Sequence, residues 1–185
     1  MLEIDLIRYV KVVGKPALYG CTDVAPIANE NSRLLKYLVG QQKTAHAYQG
    51  IICSPLRRCQ LLATKFSQLC QLPLEISAGL QEMNFGCFDG MPFDDIPFDG
   101  QGHNISNQDK CFKQPKAKAH CSQLEAFFQA PAEVILPQAE ASADFHCRVI
   151  KAWQNLLTQQ VAIANEQREN FYAKPQGPLA KKRPH

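Results

Sequence analysis

The chain has 185 residues with a net charge of +3, 45% of them apolar and 20% charged. That size and balance suit one domain with a real core, and the charge is too mild to imply nucleic acid. No stretch approaches the roughly 18 apolar residues of a membrane span, and Glu3, Asp5 and Arg8 break the pattern of a signal peptide, so a cytoplasmic protein is expected.

In chain order, residues 2–7 alternate loosely and stop at Arg8, which reads as a first strand. Lys11 to Pro26 is rich in Gly, Pro and Thr and reads as a loop. Ile27 to Gln42 carries Leu34, Leu35, Leu38 and Val39 at helical spacing. Tyr48 to Cys53 is a short apolar run suited to a buried strand. Ser54-Pro55 then reads as an N-cap with proline in the first turn. The helix that follows places Leu56, Cys59, Leu62, Ala63, Phe66 and Leu69 on one stripe, and Pro73 to Ile76 reads as another strand. Strands and helices alternating at these lengths predict βαβ units and a parallel sheet, class α/β.

Gly100 to Lys118 is polar and aperiodic, as expected of a surface excursion. Order returns over Cys121–Phe128, and Ser142–Leu157 reads as a helix through Phe145, Val149, Trp153 and Leu156. Val161 to Ala164 reads as a weak strand, and the chain closes on the basic run AKKRP before His185. The eight cysteines show no zinc-ligand spacing and read as free thiols used as small apolar side chains.

Three segments put chemistry where a parallel sheet places its ligands, at the carboxyl ends of strands. Arg8 ends the first. Arg57 and Arg58 follow the second at a helix N-terminus, where anions are favoured. Glu82 follows the third, just ahead of Gly86. Two arginines and a carboxylate in such places suggest phosphate binding with a proton donor nearby.

Taken together, IRY…GCTD, CSPLRRCQLLA and LQEMNFGCFDGMPFDDI resemble the histidine phosphatase (phosphoglycerate mutase-like) superfamily, and most of all its α-ribazole phosphatase branch. The resemblance covers roughly residues 2–96 and 120–157. It implies a three-layer α/β/α sandwich around a mostly parallel sheet, no metal or other cofactor, and a phosphorylated small molecule, a nucleotide-like phosphomonoester, as substrate. In the α-ribazole branch the 5′-phosphate is removed during assembly of the cobalamin lower ligand. The resemblance assigns phosphate binding to Arg8, Arg58 and Thr22, leaves Arg57 facing solvent, makes Glu82 the proton donor, and places Gly20, Thr22 and Asp23 in a loop that closes the pocket.

The departures matter as much. The family's nucleophilic histidine, which follows the first arginine, is here Tyr9, and the next glycine is Val10. The second family histidine is missing, with Asn165 or Glu166 nearest to its place. The C-terminal part of the fold is expected to be incomplete, giving a domain over 1–165 with a polar insertion at about 97–119, then a polar, disordered tail over 166–185. A phenol is only about one part in a thousand ionised at neutral pH, and a phosphotyrosine lacks the labile P–N bond of phosphohistidine. Losing a nucleophile from residues that act as a unit costs on the order of 10⁶ in rate. The expectation is a pseudoenzyme with little or no turnover. Its alternatives are an active phosphatase with an atypical nucleophile and a non-catalytic binding module.

Overall fold

A computed structural model of the chain describes residues 2–44, 47–95 and 117–173. Its sheet is built from β1 (Ile51–Cys53) and β2 (Leu74–Ile76), paired in parallel with Ile51 opposite Leu74 and Cys53 opposite Ile76. Parallel neighbours need a crossover, and α2 (Arg57–Cys70) supplies it. Helix α1 (Ala28–Gln41) packs on α2. Their contact is apolar: Leu38, Leu62 and Phe66 are buried together, with Leu34, Tyr48, Ile51 and Leu72 packed around them. The predicted α/β class with a parallel sheet is the one observed.

After β2 the chain makes a single 3₁₀ turn, Ala78–Leu80, against which the long helix α4 (Ser142–Ala173) lies. The approach is close, since a Cβ on Gly79 would stand 2.5 Å from that of Ala152. A second core gathers Leu18, Met83, Phe88 and Met91 from the loops with Leu124 and Phe127 of α3 (Ala117–Gln129) and Leu136 beyond it. This second core carries the loops that bear the candidate site, so loop geometry here is fixed by packing and not by a sheet.

Three expectations are corrected. Residues 2–7 form no strand among the described residues, and Leu6 is 83% exposed. Alternation can mark a strand, but only a hydrogen-bonded neighbour makes one. Val161–Ala164 is helical, because α4 runs on through Ala173. Adding a residue to a formed helix is far easier than starting one, and Ala162, Ala164 and Glu166 favour that continuation over the β-branched Val161 and Ile163. Asn165 and Glu166 therefore sit on a helix and not after a late strand. Finally, α2 starts at Arg57 with Leu56 as its N-cap; Ser54 Oγ accepts only a long 3.5 Å contact from the Leu56 amide. Residues 97–116 of the expected insertion and 174–185 of the expected tail lie outside the described residues, and residues 117–119 open α3.

Candidate functional site

The loop over residues 19–23 is the hub. Gly20 is buried so tightly that a Cβ there would stand 2.2 Å from both an Asp89 carboxylate oxygen and the Met83 carbonyl. Asp89 explains the crowding. It accepts hydrogen bonds from the backbone amides of Cys21 (2.8 Å), Thr22 (2.7 Å) and Phe85 (3.1 Å), and from the Thr22 hydroxyl. Burial alone pushes its carboxyl pKa up, yet these donors outweigh burial and hold it below the ordinary carboxylate value. Gly86 (φ +61°) and Gly90 (φ +80°), on either side of Asp89, take backbone conformations that L side chains resist.

Arg58 sits inside this loop, only 1% exposed. Its guanidinium donates to the backbone carbonyls of Gly20 (2.7 Å), Thr22 (3.1 Å) and Tyr19 (3.4 Å). Its Nε is buried with no hydrogen-bond partner, and among the described residues no carboxylate pairs with it. Arg57, one residue earlier, is exposed. The Arg57 backbone amide is capped from the loop, by the Asp23 carboxylate at 2.8 Å. The first turn of α2, lacking a cap of its own, is thus tied to residues 20–23 at two points.

The Tyr9 ring lies close to both candidate arginines. Its centroid is 5.1 Å from the guanidinium carbon of Arg58 and 6.0 Å from that of Arg8, both within cation–π range. Arg8 is exposed. The structure therefore brings Arg8, Tyr9, Arg58 and Thr22 into one neighbourhood. Beside Arg58, burial pushes the Cys59 thiol pKa up, the Arg58 charge draws it down and Glu82 raises it.

Glu82 lines an open cleft of about 490 Å³ that it shares with Cys21, Gln81, Asn84, Glu140 and Arg148. Its carboxylate turns back to accept the Met83 amide at 3.0 Å. The segment carrying it is gripped by Arg148 of α4, which donates to the carbonyls of Gly79 (3.1 Å), Gln81 (2.8 Å) and Glu82 (3.3 Å). Sequence reasoning missed Asp89, Glu140 and Arg148. The spacing of Asp89 between Gly86 and Gly90 was the available signal, since an acid between turn glycines is placed to collect backbone amides.

Comparison with known proteins follows the same lines. Residues 29–115 match the model of the histidine phosphatase superfamily (branch 1). The matched stretch includes the β1–α2–β2 unit, Glu82 and Asp89. Curated protein sequences give no match. Among solved structures, the chain is similar to Bacillus stearothermophilus YhfR, with 18% identity over 82% of this chain and 65% of that one and a TM-score of 0.59. A mycobacterial glucosyl-3-phosphoglycerate phosphatase gives 17% identity, 83% and 61% coverage and a TM-score of 0.56. The α-ribazole phosphatase of Shigella flexneri gives 20%, 78%, 61% and 0.55. The likeness is one of fold, the phosphoglycerate mutase-like α/β fold. The chain spans about three fifths of the length of these phosphatases. Among the described residues, no helix is long and apolar enough to cross a membrane.

Proposed function

We propose that the whole chain is a histidine phosphatase relative, nearest in kind to the α-ribazole phosphatases, that recognises phosphomonoesters and has little or no turnover. The observation that carries this reading is Tyr9, within cation–π range of Arg8 and Arg58 where the family resemblance calls for a nucleophilic histidine. In this reading Arg8 and Arg58 address the phosphate and Glu82 faces the leaving oxygen, while Thr22, expected to bind phosphate too, spends its amide and hydroxyl on Asp89 and holds the loop beside them. Arg58 is already bonded to three backbone carbonyls and covered by the Tyr9 ring. An anion oxygen can gain the unpartnered Nε–H only by displacing what covers it. A phenol in that seat offers neither a ready nucleophile nor a labile phosphoryl intermediate, so the step after phosphoryl transfer stalls.

The test is a phosphatase assay on purified protein with p-nitrophenyl phosphate and α-ribazole 5′-phosphate, run beside Tyr9→His. The unmodified chain should show at most a single turnover. Sustained multiple turnover by the unmodified chain overturns the reading in favour of an atypical nucleophile.

A further inference from the structure

We infer that the cleft beside Glu82 is a subsite for a neutral, hydroxyl-rich group, such as the sugar portion of a sugar phosphate, and not for an aromatic base or a second anion. The inference rests on the phosphomonoester reading for what the sugar is attached to, but the cleft's own chemistry carries it.

Arg148 is the one cation lining the cleft among the described residues, and it is fully occupied. Its five N–H groups go to the two Glu140 oxygens (2.6 and 2.8 Å) and to the carbonyls of Gly79, Gln81 and Glu82. It has no donor left for a phosphate, and Glu140 cancels its charge. What remains in the cleft is the Glu82 carboxyl and no free cation among the described residues, so nothing there draws a second anion. Asn84 spends its side-chain oxygen on the Gly86 amide at 2.8 Å, which leaves its NH₂ donors for the cleft. Gln81 and Gln138 add side-chain amides that both donate and accept. Hydroxyl groups, which also donate and accept, are the partners such a wall satisfies.

An aromatic base needs a face to stack on, and no aromatic ring lines the cleft among the described residues. At about 490 Å³ the space is within the range of small-molecule sites. The nucleotide-like substrate expected from the sequence therefore finds support here for a ribose but not for its base.

Binding is read by NMR and calorimetry with four probes: inorganic phosphate, D-glucose, glucose 6-phosphate and adenosine 5′-monophosphate. D-glucose should shift the side-chain amide signals of Gln81, Asn84 and Gln138. Glucose 6-phosphate should bind at least about tenfold more tightly than either inorganic phosphate or the nucleotide, equal to about 1.4 kcal/mol. Gln81→Ala and Gln138→Gly should remove that advantage and leave phosphate binding unchanged. Glycine is chosen at 138 because the residue there has φ +60°. Nucleotide binding as tight as that of the sugar phosphate overturns the inference. So does phosphate binding without any response to glucose. A response to glucose without phosphate binding supports the cleft and instead removes the phosphomonoester reading.

Discussion

Arg148 and Glu140 meet as a two-pronged pair, Nε to Oε1 at 2.6 Å and a terminal nitrogen to Oε2 at 2.8 Å. The pair does more than neutralise charge. Glu140 also donates its backbone amide to the Asn84 carbonyl at 2.9 Å, so the chain on both sides of Glu82 is held by one cluster. Removing Arg148 leaves a partly buried carboxylate and three carbonyls without their donors. Arg148→Ala should lower stability by about 2–4 kcal/mol, in the range for breaking such a pair. Arg148→Lys should recover only part of this, because an ammonium cannot reproduce the fork. Urea unfolding checks both, and an unchanged midpoint for Arg148→Ala contradicts this bracing role.

The same cluster predicts an acid response. Hydrogen bonds from Arg148 hold the Glu140 pKa below its ordinary value, and Asp89 is held low by its donors despite burial. A carboxyl depressed in the folded state stabilises the fold above its unfolded pKa, and that stabilisation is lost as pH falls through the folded one. Stability should therefore be steady above about pH 5 and fall below about pH 4, where ordinary carboxylates titrate. Asp89→Asn and Glu140→Gln should each flatten that fall. Denaturation midpoints between pH 7 and pH 2.5 give the measurement, and equal acid slopes in wild type and both variants rule the two groups out.

Two glycines should respond in opposite ways to alanine. At Gly20 the new methyl would stand 2.2 Å from the Met83 carbonyl and an Asp89 oxygen. The backbone must move or the Asp89 bonds must break, at a cost of about 3 kcal/mol or more. At Gly40, in the last turn of α1, nothing lies within 4 Å of where a methyl would stand. Alanine there should stabilise by about 0.5–1 kcal/mol through helix propensity. Thermal melts of the two variants should bracket the wild type, and a Gly20→Ala protein as stable as wild type would show that the hub is looser than its geometry implies.

Much of this was legible in the sequence because it is local. The α2 stripe placed Leu62, Ala63 and Phe66 inside, as observed, but also took in Leu69, which is exposed at the end of the helix. The parallel pairing of β1 and β2 followed from the strand–helix–strand lengths alone. What stayed hidden depends on partners far along the chain. Asp89 reads as a turn acid until its carboxylate is seen to hold residues 21 and 22. Asp23 caps a helix that begins at residue 57, a task that local sequence assigns to Ser54. The apolar run before Arg8 carries strand character, but strand formation is decided by a neighbour and not by the run itself.

Arg57 and Arg58 are adjacent in sequence and opposite in circumstance, which gives a direct test of the Tyr9 contact. Arg57 is exposed, while Arg58 is 1% exposed and lies 5.1 Å from the Tyr9 ring centroid. An arginine-directed reagent such as phenylglyoxal should therefore modify Arg57 readily and leave Arg58 intact in the folded protein, as read by peptide mass mapping. A desolvated cation–π contact is worth about 2 kcal/mol, so Tyr9→Ala should raise Arg58 modification by at least about tenfold. The carbonyl bonds from Tyr19, Gly20 and Thr22 should still keep it slower than Arg57. Circular dichroism separates uncovering from unfolding, since only the latter changes the helical signal. Equal labelling of both arginines in the wild-type protein would show that Tyr9 does not cover Arg58, and a phosphate would then reach that guanidinium without displacing the ring.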